Sequence, residues 1–396
     1  MKGPTPRRLQ KYVARCLGLK AYLQAPGDGR VQPQIPAAAL LWALLVGQIL
    51  REFTFHAVEA LVHSARRALG VSRAFGDDAL AYFTERLSAP PTRAALAQAV
   101  RQAKRNKAFD FCRFIGLSVD GTTLGRCARK TCSLCCPWRK ADGEIGGYLH
   151  HLVLISVVGT GLTLPLDVEP YGPQDSEYAA GQRLLRRAVR QLGVRFADYV
   201  VVDAEYARAE FLHAAGDLGL HVVARLKGNL PELSTAAQQR FRQQAPTLTF
   251  HQGRERIEVW DADDFDPWQT LRWTTVRVLR YRQHQAGGKV VEAYWLTDFP
   301  ARQLSSRTLV QFAKSRWEIE NQGFNDAKNR HGLEHLCHHH PNSLLLTWLL
   351  LALALTLERL YRLRYLHRGS HPVHTAIALL RLLRLSLSSP AALDSS

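Results

Sequence analysis

Two aspartates in this chain stand where a divalent cation could be held. Asp120 closes the apolar run Phe114–Val119, and Asp203 closes the apolar run Tyr199–Val202. Such runs read as buried strands, and an open sheet of parallel strands presents its chemistry at the strand ends, so the two carboxylates are expected side by side, Asp120 at a strand terminus. A single aspartate after an apolar run is more often a turn or cap residue. Two of them, joined by a third acid on a later helix, suit a hard cation such as Mg²⁺, which takes carboxylate oxygens together with substrate phosphates. That chemistry is phosphoryl transfer. The third acid lies within Arg316-Trp317-Glu318-Ile319-Glu320-Asn321, where two glutamates compete. On a helix Glu318 and Glu320 point about 200° apart, so only one can face a shared site. Arg316 stands four residues before Glu320 on the same helix face, where it can orient or charge-balance a metal carboxylate, so Glu320 is taken as the third acid.

A second cluster has softer ligands. Cys127, Cys132, Cys135 and Cys136 fall within ten positions and include a Cys-x-x-Cys pair. Thiolates suit Zn²⁺, and Cys127, Cys132 and Cys135 with His150 or His151 make one ligand set; adjacent Cys135 and Cys136 do not easily ligate together. The alternative is free thiols in a basic loop. Cys337 with His338, His339 and His340 is a further candidate, although such a run before Pro341 more often reads as a solvated loop. Arg126, Arg129, Lys130, Arg139 and Lys140 surround the cysteines just after Asp120, where they could flank a polyanion entering the site, and Trp138 could stack a base there.

The elements that must position these residues read as α/β. Pro36 to about Phe111 is helical, with apolar residues at spacings of three and four and breaks at Gly70, Gly76 to Asp78 and Ala89 to Pro91. After the first strand, Tyr148–Val158 and Leu162–Val168 form a hairpin through Gly159, Thr160 and Gly161. A helix follows from a Ser176 cap to Gly193, then Tyr199–Val202, a helix over Arg208–Leu218, and the strand His221–Leu226. Between Thr247 and Phe299 the chain is strand-like again, as an inserted sheet that carries Trp273 and Trp295 as core residues. A helix opening near Ser305 carries the third acid, and a very apolar one runs from Leu344 to about Arg364. The expected organisation is a helical region over 1–111, a catalytic core over 112–245, a β-rich insertion over 246–300, and the catalytic and C-terminal helices over 301–396.

Lys plus Arg number 52 against 34 Asp plus Glu among 396 residues, a formal charge of +18, which favours a polyanionic partner. In the helical region Arg51, Arg66, Arg67, Arg73, Arg86, Arg93, Arg101, Lys104, Arg105 and Lys107 are either phosphate contacts or solvated faces. The first residues carry charge without a long apolar block, so a cytoplasmic protein is expected. Ala37–Leu50 and Leu344–Leu357 fall short of the roughly 20 residues that span a bilayer and read as buried helices, so no membrane partner is expected. Seven cysteines, an odd number, argue against a disulfide framework.

The segments Leu117–Thr122 (LSVDGT), Val200–Tyr206 (VVVDAEY), Trp295–Pro300 (WLTDFP), Arg316–Lys328 (RWEIENQGFNDAK) and His331–His335 (HGLEH) resemble the DDE transposases of bacterial insertion sequences, in the branch with a Tyr-Arg-Glu-Lys signature. The resemblance extends from about Asp77 to Leu360. It implies an RNase H-like core (a mixed sheet flanked by helices), Asp120, Asp203 and Glu320 as catalytic metal ligands, and Arg316 as the signature arginine. It also implies two Mg²⁺ or Mn²⁺ ions about 3.5 to 4 Å apart, cleavage at element ends and strand transfer into target DNA without a covalent enzyme intermediate. The partners would be double-stranded DNA, both terminal inverted repeats and target, in a nucleoid-associated bacterial setting. Symmetric pairing of two ends makes a homodimer the expectation. Two positions depart from the signature. Ala313 stands for the tyrosine, and Ala327 for the lysine expected seven residues after the glutamate, so Lys328, one further on, would contact DNA from a different angle. The rival readings are a domesticated protein that binds DNA without cutting, a plain nuclease, and a zinc-held interaction module.

Overall fold

Both faces of the central strands are apolar, and this dictates a sheet covered on two sides. Tyr199 and Val201 are buried in one core and Val200 and Val202 in the other, the period-two alternation of a strand. The computed structural model describes residues 3–366 and 375–388; the rest of the segment expected over 301–396 lies outside the described residues. Its single sheet holds β1 (Gly116–Cys127), β2 (Cys136–Arg139), β3 (Ile145–Val158), β4 (Leu164–Tyr171), β5 (Tyr199–Val202), β6 (His221–Leu226), β7 (Leu248–Gln252), β8 (Glu255–Phe265), β9 (Val276–His284) and β10 (Val290–Thr297). The order is β2-β3-β1-β5-β6-β10-β9-β8-β7, with β4 also on β3. β1 is antiparallel to β3 and parallel to β5, and β5 is parallel to β6. An antiparallel meander continued by parallel strands is the RNase H-like arrangement that was expected.

The strand-rich segment is not a sheet of its own. β10 pairs antiparallel with β6 from Tyr294↔Leu226 to Thr297↔Val223 and extends the core sheet to ten strands. Pairing there leaves β6 no open edge, where an unpaired ladder would invite association.

The helices are α1 (Pro6–Cys16), α2 (Lys20–Gln24), α3 (Ala37–Leu50), α4 (Phe55–Leu69), α5 (Asp77–Arg86), α6 (Ala89–Arg105), α7 (Glu177–Leu192), α8 (Ala209–Asp217), α9 (Pro231–Arg242), α10 (Ser306–Glu318), α11 (Asn325–His331), α12 (Pro341–Tyr361) and α13 (Ala376–Ser388). Ser176 and Ser305 cap α7 and α10, each accepting a backbone N–H three residues on. α10 packs Leu309, Val310, Phe312 and Ala313 into the core with Tyr199 and Val201, while α6, α7 and α12 lie on the other side with Val200 and Val202. The stretch Pro341–Arg364 is long and apolar enough to cross a bilayer, yet 89% of its apolar 18-residue window is buried inside the protein. It is apolar on all sides because it packs against β4 and against α3, α5 and α6 at once. α12 therefore fastens the helical region to the sheet.

The cations of the helical region divide. Arg93 pairs with Asp167 and Glu169 on β4, Arg101 donates to Gln191 O, and Lys104 donates to Phe196 O, so these three hold α6 against the core. Arg66, Arg67, Arg73, Arg105 and Lys107 are exposed.

Candidate active site

The parallel register brings the first two acids together. Val119 pairs with Val202, so Asp120 and Asp203 occupy the next rung, and by alternation both project to the face that α10 covers. Asp120 is not at a strand terminus, as expected, but in the body of β1. β5 stops pairing after Val202, whereas β3 continues to pair with β1 as far as Cys127. The functional edge is therefore set by where the short parallel strand ends.

The third acid arrives from the helix. Arg316 Nη1 donates to Asp120 Oδ2 at 3.0 Å, and its Nη2 pairs with Glu320 Oε1 at 2.7 Å, so one guanidinium bridges the strand acid and the helix acid. Glu318 points elsewhere. It accepts hydrogen bonds from Gly159 N–H (3.1 Å) and Thr163 Oγ1 (3.2 Å) at the β3–β4 turn, and burial raises its carboxyl above the ordinary range against those two bonds. Glu320 lies in a π-helical stretch, Ile319–Phe324, joining α10 to α11. A π-turn takes up one extra residue. Eight residues of regular helix would set Lys328 about 80° from Glu320; with one residue absorbed, Lys328 returns to within about 20° of it. The different angle expected from the one-residue shift is thus corrected: Lys328 Nζ donates to Thr123 O of β1 at 3.1 Å, three residues beyond Asp120, and pairs with Glu334 at 3.2 Å.

The electrostatics are those of a crowded anionic cradle. Burial pushes the Asp120 carboxyl up to about 7, with Arg316 opposing and the charges of Glu320 and Glu177 adding to the rise. Burial acts the same way on Asp203, but the Ala204 N–H and the Lys227 ammonium at 3.0 Å outweigh it and hold that carboxyl below its usual value. Glu177, the first residue of α7, is a fourth acid. Its carboxylate lies over Gly121, where a Cβ would stand 2.1 Å away, and it accepts from Tyr206 Oη at 3.2 Å. Burial and Glu205 raise it, and Asp203 adds to the rise. Arg225 occupies the β6 rung next to Asp203. Its guanidinium lies 4.8 Å over the Trp295 ring, Nη1 is buried without a hydrogen bond, and burial lowers its affinity for a proton.

Glu177, Arg225 and Lys227 were not singled out from the sequence. An acid in the first turn of a helix is ordinary, so Glu177 carried no signal. Arg225 did carry one, as the only cation in the strand His221–Leu226 and on the rung after Ala224, which pairs with Val202.

Arg129 and Lys130 lie exposed in the loop from β1 to β2. Trp138 covers Gly146 on one side, and Arg126 lies 4.9 Å over its ring. Cys132 and Cys135 of the same loop converge with His150 of β3, all three ligand atoms lying within 4.8 Å of one another. Cys127 lies outside that cluster, and His151 stacks on Tyr171 at 5.1 Å. The set Cys337 with His338, His339 and His340 does not converge: His338 bonds Glu85 and His339 bonds Thr131.

A family model described as the transposase DDE domain matches residues 114–357, a span that contains Asp120, Asp203 and Glu320. No curated protein matches the sequence. Among solved structures, the cryo-EM structure of a piggyBac transposase synaptic complex with hairpin DNA is similar, with a TM-score of 0.50 at 12% identity over 99% of this chain and 82% of that one. That likeness bears on the fold, which is RNase H-like. With the family match covering well over half of its residues, the chain belongs to the transposase DDE domain family.

Proposed function

We propose that the chain is the transposase of a bacterial insertion sequence, in the Tyr-Arg-Glu-Lys branch, and that Asp120, Asp203 and Glu320 hold the divalent cations with which it cuts element ends and joins them to target DNA. The observation that carries this reading is the convergence of acids from β1, the end of β5 and the π-turn on one face of the sheet, with Arg316 touching two of them. The donors are carboxylate oxygens, which suit Mg²⁺ or Mn²⁺. Burial is the chief cause of the raised Asp120 carboxyl, with Glu320 and Glu177 adding to it, as suits a half-enclosed group that a cation would hold ionised. When bound, such ions supply Lewis-acid stabilisation of charge on the attacked phosphate.

The chain's own residues prepare that site. Arg316 fixes the orientation of Asp120 and Glu320, and Lys227 holds Asp203 ionised. Lys328, with exposed Arg129 and Lys130, lines β1 and its following loop as phosphate contacts. Residues 1–111 recognise the element ends, 112–245 with 301–396 form the catalytic core, and 246–300 is the insertion. The protein acts in the bacterial cytoplasm as a homodimer on paired ends.

Wild-type protein incubated with duplex DNA carrying the element's own ends, with Mg²⁺ or Mn²⁺, is expected to free 3′ ends and join them to a second duplex, and chelation to stop both. The paired-end complex should have the mass of two protomers. Binding without cutting would favour a domesticated DNA-binding protein, and cutting without joining a plain nuclease.

A further inference from the structure

The geometry points to a structural zinc site, separate from the carboxylate cradle, formed by Cys132, Cys135 and His150 with His339 as its fourth ligand. Tetrahedral zinc with Zn–S near 2.3 Å and Zn–N near 2.05 Å places two sulfurs about 3.8 Å apart and a sulfur and a nitrogen about 3.6 Å apart. Cys132 Sγ and Cys135 Sγ are 3.7 Å apart, and His150 Nε2 is 3.2 Å from the first and 3.6 Å from the second. Three edges of the tetrahedron are therefore present within a few tenths of an ångström. The Cys-x-x-Cys spacing supplies both sulfurs from one turn, whose Cys135 N–H donates to Cys132 O. The imidazole comes from β3, where it is fully buried against Trp348 of α12.

Thr131 identifies the fourth ligand. Its N–H and Oγ1 approach Cys135 Sγ at 3.4 and 3.5 Å, and the same Oγ1 lies 2.9 Å from His339 Nδ1. Ligating histidines characteristically donate the other ring N–H to an oxygen, which fixes the tautomer and frees the opposite nitrogen for the metal. With Thr131 Oγ1 accepting from Nδ1, His339 offers Nε2, and its ring centroid lies 6.2 Å from that of His150. Loading releases the two thiol protons to solvent and leaves a neutral Cys₂His₂ site. Cys136 Sγ donates to Leu134 O, away from the site. Cys127 and His339 both lie beyond the cluster of Cys132, Cys135 and His150, and of the two it is His339 that Thr131 Oγ1 ties to it, so His339 closes on the metal when it loads.

The site would join two parts of the chain distant in sequence: the loop after β1, which carries exposed Arg129 and Lys130, and the segment that leads into α12. Its service is to hold that basic loop in one place against the helix that fastens the molecule together.

The test is metal analysis of full-length protein purified under reducing conditions, with Co²⁺ titration of the metal-stripped protein as an optical probe. About one zinc per chain and a thiolate-to-cobalt charge-transfer band are expected. Both should be lost in Cys132→Ser/Cys135→Ser and kept in Cys127→Ser and Cys136→Ser. His339→Ala should weaken Co²⁺ binding at least about tenfold, and Thr131→Ala by about tenfold. Wild-type protein that carries no zinc and gives no band would overturn the site without recourse to any variant. A band that persists in the double variant would overturn the thiol pair, and one that needs Cys127 but not His339 would overturn the fourth ligand.

Discussion

Asp120 and Asp203 were legible as a pair because each ends an apolar run, and the choice of Glu320 over Glu318 followed from helix geometry and Arg316 alone. The opposite orientation of Glu318, bonded to Gly159 and Thr163, agrees with that geometry. What was hidden is contact between residues far apart in the chain, above all Glu177 against Gly121. A β-carbon on Gly121 would displace the Glu177 carboxylate, which neighbours Asp120 in turn. Gly121→Ala is therefore expected to push the Glu177 carboxylate aside and lower metal-dependent DNA cleavage by about tenfold, less than loss of a proposed metal ligand, with the circular dichroism spectrum unchanged. Full activity in that variant would show that the contact does not position the site.

At the scale of elements, strands and helices could be read from period and caps, as Ser176 and Ser305 illustrate, but two joins could not. The pairing of β10 with β6 depends on which edge of the core is open, and the π-turn after α10 depends on tertiary ties that no helical wheel contains. One such tie is Arg359 of α12, almost fully buried, which donates to Gln322 O inside the π-turn and to Thr163 O and pairs with Asp326. Arg359→Met strands those carbonyls, and urea unfolding should show a loss on the order of 3 kcal/mol. A second tie is His331 at the end of α11, bonded to Gln48 O of α3, with Glu358 at 3.5 Å and Arg51, Arg359 and Asp326 nearby. Burial pushes its imidazole down to about 4, against an ordinary 6.5. The unfolded chain thus takes up a proton that the folded one refuses. This contribution is whole above pH 6.5 and lost as pH falls toward 4, amounting to on the order of 3 kcal/mol. Denaturation at pH 7 and pH 5 should show a steeper fall for wild type than for His331→Asn, and equal falls would remove the histidine from the account.

For the molecule as a whole, the charge of +18 was plain in the composition, yet which cations face solvent was not. Arg93, Arg101 and Lys104 are committed to the core, whereas Arg129 and Lys130 are exposed in the loop after β1. Replacing Arg129 and Lys130 with alanine should weaken DNA binding and make the slope of log affinity against log salt shallower by about two, one counterion per lost phosphate contact. An unchanged slope would place the DNA elsewhere. The central claim, that acids from β1, β5 and the π-turn act as one metal site, is tested most directly by cleavage and joining of element-end DNA in Mg²⁺ by Asp120→Ala, Asp203→Ala, Glu320→Ala and Glu318→Gln beside wild type. The first three should bind DNA yet neither cut nor join, while Glu318→Gln retains both activities; cleavage by Glu320→Ala, or its loss in Glu318→Gln protein that still folds and binds, would overturn the shared metal site.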